Sequence, residues 1–219
     1  MKKRWQGVLV AETERIALLV PDGSFAKWAR DYAVRNREYH RAAMPVPPFD
    51  YDTSVFWKKR LKARSLAFRE GLEYGFFILP AGDPGGEILG DITFSQVFHG
   101  ALSAAVLGYK LDRASEGKGL MHEALGAALS FMFSGVKLHR IEANVVPQNI
   151  RSFRLLRRLG FVVEGYSRRY LKLDNEWRDH VRLAKFNPSN EGNDTRSLDL
   201  KLLGIEMPSD PSEIVGAVR

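Results

Sequence analysis

The chain reads as an α/β domain, with helices set between the strands of one mixed sheet that has at least one parallel pair and a hairpin at its end. Three observations predict this. Residues 119–134 repeat Leu120, Met121, Ala124, Leu125, Ala128, Leu129, Met132 and Phe133 at a period near 3.6, the strongest helix in the chain. β-Branched or apolar runs stand on either side of it, at residues 103–111 and 139–146. Two more runs, 161–173 and 177–186, flank an Asp174-Asn175 turn.

The elements follow in order. Residues 16–20 form a short strand closed by Pro21-Asp22-Gly23, and Ser24 then caps a helix to about residue 35 with Phe25, Trp28 and Ala29 on one stripe. Residues 39–52 carry Pro45, Pro47 and Pro48 among aromatic residues, a stiff loop too apolar for a simple linker. Thr53 caps a helix to about Gly71, with Phe56, Trp57 and Leu61 inward and a Lys/Arg-rich outer face. Residues 74–79 and 87–94 form a hairpin around the Gly/Pro turn at 82–86. A short helix starting at Asn149 or Ile150 stops at Gly160. The domain covers residues 1–187; beyond it, 188–219 is expected to be a polar, partly disordered tail with one helix near 198–203.

Composition narrows the function. A chain of 219 residues is one domain of generous size, and one with 45% hydrophobic and 27% charged residues is neither disordered nor fibrous. The absence of cysteine excludes disulfides, thiolate metal sites and a cysteine nucleophile, and suits a cytoplasmic location. The apolar run after Trp5 ends at Glu12, too short for a signal peptide. The charge-free stretch 92–109 is broken by Ser95, Gln96, His99, Gly100 and Ser103 and reads as two strands and a turn, so no membrane contact is expected. The tail holds six acids against three bases, leaving +10 of the net +7 on the body. A body that basic attracts polyanions, including phosphorylated cofactors and the ribosome. The five histidines show no metal-ligand spacing, and no metal is expected.

The informative segment is Glu116-Gly117-Lys118-Gly119-Leu120-Met121, which leads from a strand into the long helix. Glycines there let successive N–H groups converge, and the helix adds its unsatisfied first-turn amides and positive dipole end. Together they form a site for phosphate or pyrophosphate, with Lys118 as a nearby point charge. The P-loop pattern and the third glycine of the dinucleotide fingerprint are both absent.

This segment and Asn149-Ile150-Arg151-Ser152 with Arg157-Arg158-Leu159-Gly160-Phe161 resemble the GNAT superfamily of acyl-CoA N-acyltransferases. The first matches [Q/R]-x-x-G-x-[G/A]; the second matches N-x-x-S-x-x-x-x-x-[K/R]-x-G-F at every anchor. Gly108-Tyr109, His139-Arg140-Ile141, Glu164-Gly165-Tyr166 and Trp177-Arg178-Asp179-His180 place the resemblance in the RimJ/RimL-like branch, nearer RimJ, over about residues 10–186. Glu116 departs from the motif's Gln or Arg, setting a like charge beside phosphates that Lys118 offsets in part. Met121 departs from its Gly or Ala.

The resemblance implies a single GNAT-type domain with about seven central strands, helices on both faces and a V-shaped splay between the two central strands. It implies acetyl-CoA as co-substrate and acetyl transfer to an α-amino group, that of a protein N-terminus such as a ribosomal protein's. Tyr109, Lys110 and Leu111 would offer backbone donors at the splay. Glu116, Gly117, Lys118, Gly119, Leu120 and Met121 would hold the pyrophosphate, and Asn149 the pantetheine arm. Glu142 is the candidate base through water, and Ser152 the candidate proton donor to the thiolate. Leu156 stands where other members have an acid tyrosine. The loop at 39–52 and the turn at 174–177 would wall the acceptor groove. Direct nucleic-acid binding is not expected, and the protein is taken as monomer or homodimer. Two rivals stay open: a small-amine, polyamine, amino-acid or antibiotic acceptor on the same fold, and a non-catalytic CoA-binding module that assists ribosome assembly.

Overall fold

A computed structural model describes residues 7–82 and 87–190. Its strands are β1 (Val8–Glu12), β2 (Ile16–Val20), β3 (Tyr74–Pro80), β4 (Gly90–Phe98), β5 (Ala104–Leu111), β6 (Arg140–Val145), β7 (Val162–Leu173) and β8 (Glu176–Phe186). They form one sheet in the order β1-β2-β3-β4-β5-β6-β8-β7. Neighbours are antiparallel except β5 and β6, which run parallel because helix α4 (Leu120–Ser130) carries the chain back between them.

That parallel pair opens. Its register runs from Ala104↔Arg140 to Leu107↔Ala143 and stops, although β5 continues to Leu111 and β6 to Val145. The sheet therefore splits at its centre into a V whose arms keep only their outer partners.

Strand alternation sorts the side chains onto two faces. On one, Phe76, Ile78, Ile92, Phe94, Ala105, Leu107, Ile141, Ala143 and Val145 pack with Met121, Ala124, Leu125, Ala128 and Leu129 of α4 and Phe153 and Leu156 of α5 (Ile150–Arg158). On the other, Leu19, Phe77 and Leu79 pack with Ala29, Tyr32 and Ala33 of α1 (Ala26–Arg35) and Trp57 and Leu61 of α3 (Ser54–Arg69). Burying each such leucine contributes ~1.5–3 kcal/mol.

The structure adjusts several expected boundaries. β1 is an extra edge strand: half-exposed Val8 and Leu9 hide its alternation, and only pairing with β2 reveals it. Asp22, not Ser24, is the first cap, accepting the Ser24 N–H at 2.8 Å above a 3-10 turn, Gly23–Phe25. Thr53 caps α3 by accepting the Phe56 N–H at 3.1 Å. β4 begins at Gly90 and runs on to Phe98. The long helix widens into a π turn at Phe131–Gly135. Asp174 and Asn175 both take positive φ (44° and 66°), as a two-residue hairpin turn requires. The expected tail helix at 198–203 lies outside the described residues.

The stiff segment after α1 is more ordered than a loop. It forms a helical turn, α2 (Arg37–His40), a 3-10 turn at Arg41–Ala43, and then the proline-bearing stretch to Thr53. This strap crosses from the end of β5 to the β7–β8 turn, where the Asp174 N–H donates to Met44 O at 2.9 Å and Arg41 Nε to Asp174 at 3.1 Å.

Candidate active site

The junction between β5 and α4 is shaped by two left-handed glycines. Gly117 and Gly119 have φ of 73° and 76°, and Gly119 is the N-cap of α4. A side chain at either position would be strained, by ~1–2 kcal/mol for an L-residue in this region. The first intrahelical bond of α4 is Glu123 N–H to Gly119 O, so the amides of Leu120, Met121 and His122 precede the helical ladder. No backbone carbonyl among the described residues takes the amides of Gly117, Lys118 or Gly119. These N–H groups and the helix dipole fit a diphosphate.

The loop is braced from outside. Asp112 accepts Asn36 Nδ2 at 3.0 Å and pairs with Arg35 at 2.5 Å, while Asn36 Oδ1 takes the Arg113 N–H at 3.0 Å. Buried Asn36 therefore pins the end of β5 to the end of α1. Arg15 donates to Lys118 O at 2.9 Å and to Glu123 at 2.7 Å. Lys118 Nζ turns to Ala114 O at 2.9 Å. Among the described residues it makes no ion pair with Glu116, which the sequence expected it to offset in part. Glu116 is instead neutralised by Arg151 and accepts a hydrogen bond from the Tyr39 hydroxyl.

At the splay, alternation decides which β5 groups face the gap. Asp112 N–H donates to Leu89 O at 2.7 Å on the β4 side, so the amide of Lys110 also points to β4, and those of Tyr109 and Leu111 point into the gap. Lys110 thus parts from its neighbours: its backbone belongs to the β4 ladder and its side chain to the acceptor side. The Leu111 carbonyl already accepts His40 Nε2 at 2.9 Å.

Ser152 lies in the first turn of α5, whose N-cap Asn149 accepts the Ser152 N–H through Oδ1 at 3.1 Å. Its hydroxyl meets the Tyr109 hydroxyl at 2.5 Å. Burial pushes Tyr109 up to about 12, partly offset by the Ser152 hydrogen bond, so the phenol keeps its proton at neutral pH. Leu156 is fully buried in the core. The tyrosine side chain was missed in the sequence, where Tyr109 figured only as backbone. The signal was its odd position in β5, which turns it toward α5.

Glu142 sits on the opposite face, within the still-paired part of β6. Arg140 lies 3.0 Å from one carboxylate oxygen and Arg182 3.2 Å from the other; Arg140 also pairs with Glu164 at 2.5 Å. The candidate base is thus held by two guanidinium groups.

Beyond Lys110 on this face opens a cavity of about 360 Å³, bounded by α1, the strap and Asp174. Its walls are largely Tyr32, Met44, Phe49, Tyr51, Trp57 and the strap prolines. Each acidic residue in them is paired: Glu38 and Asp174 with Arg41, Asp52 with Arg37, Asp91 with Arg64 at 3.0 Å. Burial alone would raise Asp91, but Arg64 and Lys110 hold it below the usual carboxylate range. Burial lowers Lys110. His40 is lowered by burial as well, so its imidazole is neutral at pH 7.

Comparison with known proteins agrees with this geometry. Residues 21–162 match the family model described as the acetyltransferase (GNAT) domain. The ribosomal protein uS5-alanine N-acetyltransferase of Escherichia coli (strain K12) is 36% identical over 176 residues, 80% of this chain and 90% of that protein. The ribosomal-protein-S5-alanine acetyltransferase of Vibrio fischeri superposes with a TM-score of 0.77 at 30% identity, over 81% of this chain and 96% of that one. RimJ of Mycobacterium smegmatis, solved with CoA-disulfide, gives 0.73 at 29% identity over 81% and 84%. With two opposed halves meeting at a split sheet and most of its length inside the family model, this chain belongs to the GNAT acetyltransferases and is an acetyl-CoA-dependent acyltransferase.

Proposed function

We propose that the protein transfers acetyl from acetyl-CoA to the α-amino group of a protein N-terminus, with a ribosomal protein as the acceptor class that its relatives suggest. The observation that carries this is the charge pairing of the cavity. A polyamine or aminoglycoside needs unpaired carboxylates to replace its lost water, whereas all four acids in the cavity wall are paired and half-buried Lys110 stands 4.0 Å from Asp91. An apolar, aromatic wall with neutralised charge suits the first residues of a peptide.

The chemistry asks little of a base. An N-terminal amine has a pKa of ~7.7–8.0, so about a tenth is already neutral at pH 7. Its nitrogen attacks the thioester carbonyl carbon, and the oxyanion is met by the N–H groups of Tyr109 and Leu111 that face the gap. The C–S bond then breaks, the thiolate takes a proton from the Ser152–Tyr109 pair, the amine's proton leaves to water, and the pair regains a proton from water. In this reading Asn149 holds the pantetheine arm through its amide nitrogen, which has no hydrogen-bond partner among the described residues. Lys118 contributes its backbone amide, with its ammonium tied to Ala114. Glu142, ion-paired with Arg140 and Arg182, orders those arginines and is not used as the base.

The test is thiol release with acetyl-CoA and an Ala- or Ser-starting peptide, against spermidine. The expected preference is at least ~100-fold in kcat/KM for the peptide, about 2.7 kcal/mol; equal or reversed preference overturns the acceptor assignment. Glu142→Gln should change kcat by less than about threefold, whereas a fall of ~100-fold or more would restore it as the general base.

A further inference from the structure

One atom near the splay has no partner. Asn144 follows Ala143, the last β6 residue paired with β5, and stands opposite Arg182 of β8. Alternation puts it on the face of Glu142 and Lys110, away from buried Ala143 and Val145. Its Nδ2 donates to the Tyr170 hydroxyl at a long 3.5 Å, while Oδ1 is buried with no hydrogen-bond partner among the described residues.

A buried carboxamide oxygen left without a donor costs ~1–3 kcal/mol, so its persistence at this position calls for a reason. The ion-pair cluster does not supply one, because Arg140 and Arg182 are directed at Glu142 and Glu164. Of the other unpartnered buried atoms, those on Arg64, Glu73 and Arg140 belong to groups already engaged in ion pairs, and the Tyr32 hydroxyl belongs to α1, in the cavity wall. Asn144 alone among them stands on β6 just past its pairing with β5, with its nitrogen held by Tyr170 and its buried oxygen unpartnered. Tyr170 stacks at a tilt on His180 with ring centroids 5.5 Å apart, and buried His180 is fixed in turn by Nδ1–H donation to Arg178 O at 3.0 Å. The carboxamide is thus backed by an ordered pair of rings and lies where β6 leaves its partner strand.

We propose that Asn144 Oδ1 accepts a hydrogen bond from the attacking amine and so directs its lone pair at the thioester carbonyl carbon. One N–H of the amine is held by Asn144 throughout and survives as the N–H of the product amide. The nitrogen lone pair forms the new N–C bond, the C–S bond breaks, the thiolate is protonated from the Ser152–Tyr109 pair, the remaining ammonium proton passes to water, and water reprotonates the pair. The carboxamide itself neither gains nor loses a proton. This role holds for any primary-amine acceptor and does not depend on the acceptor being a protein N-terminus.

The experiment compares Asn144→Ala and Asn144→Asp in the full chain, using whichever amine the wild type acetylates, with acetyl-CoA affinity measured by calorimetry. Asn144→Ala should lose ~10–100-fold in kcat with the acetyl-CoA Kd within about twofold, the scale of one hydrogen bond to a charged group. Asn144→Asp keeps an acceptor oxygen and should retain at least about tenfold more activity than the alanine variant. An aspartate variant as inactive as the alanine variant, or an alanine variant near wild-type kcat, overturns the proposal while leaving acetyl transfer intact. A wild-type chain inert toward every amine overturns both. Should Asn144→Ala fail to fold, Tyr170→Phe releases the carboxamide from its support: a loss of about threefold or more in kcat at unchanged acetyl-CoA affinity supports the assignment, and no loss overturns it.

Discussion

The two sides of the splay are built by different means. The cofactor side is nearly continuous in sequence: β5, a glycine-bearing loop and α4 within Ala104–Ser130, with the start of α5 added. In the proposed reading it works through backbone amides placed by φ at Gly117 and Gly119. The acceptor side is assembled from α1, the strap, β4, β5 and the β7–β8 turn, and is held by side chains as far apart as Arg41 and Asp174, 133 residues distant. A backbone site tolerates side-chain changes but no added Cβ in a left-handed turn; a side-chain site behaves in the opposite way.

That contrast can be broken or sharpened in order of expected effect. Gly119→Val forces a β-branched residue to φ 76° and should weaken acetyl-CoA binding by about tenfold or more in calorimetry, with the peptide KM little changed. An equal loss on both substrates would show that the halves are not separable. Asp174→Ala removes the Arg41 pair that ties the strap to the hairpin and should raise the peptide KM about three- to fivefold while sparing acetyl-CoA, the most an exposed ion pair supports. Glu116→Gln removes a like charge from beside the diphosphate. It should tighten acetyl-CoA about two- to threefold at low salt, with the gain fading as salt rises.

The smallest effect concerns pH. Burial holds His40 and His180 below their ordinary value, so in mildly acidic solution the unfolded chain binds more protons than the folded one. Stability is then complete above about pH 6.5 and falls as the pH drops below it. The Tm measured at pH 5.5 should lie below that at pH 7.5, and a His40→Gln, His180→Gln double variant should narrow the difference.

Legibility followed the same divide. The long helix, its glycine entry, the α5 motif and the terminal hairpin could be read directly, because their signals repeat within a few residues. β1 could not, since a half-exposed edge strand lacks clean alternation and shows itself only by pairing with β2. Glu142 looked available in the sequence. Of its two arginines, Arg140 stands two residues back on the same strand, but Arg182, 40 residues away on β8, is brought to it by strand pairing alone. The strap read as a loop because prolines mask its helical turns, and its role as a bridge depends on Asp174, far along the chain.

What the sequence determined unaided is the glycine entry to α4, the proposed diphosphate site: converging amides need only local backbone angles, and two spaced glycines before an amphipathic helix encode those angles. What only the tertiary structure decided is which polar groups are free to react. The Ser152–Tyr109 contact, the Arg182–Glu142 pair and the unpartnered Asn144 oxygen each depend on which faces of distant strands meet. Availability is set by what lies within about 3 Å in space, and chain order does not record that distance.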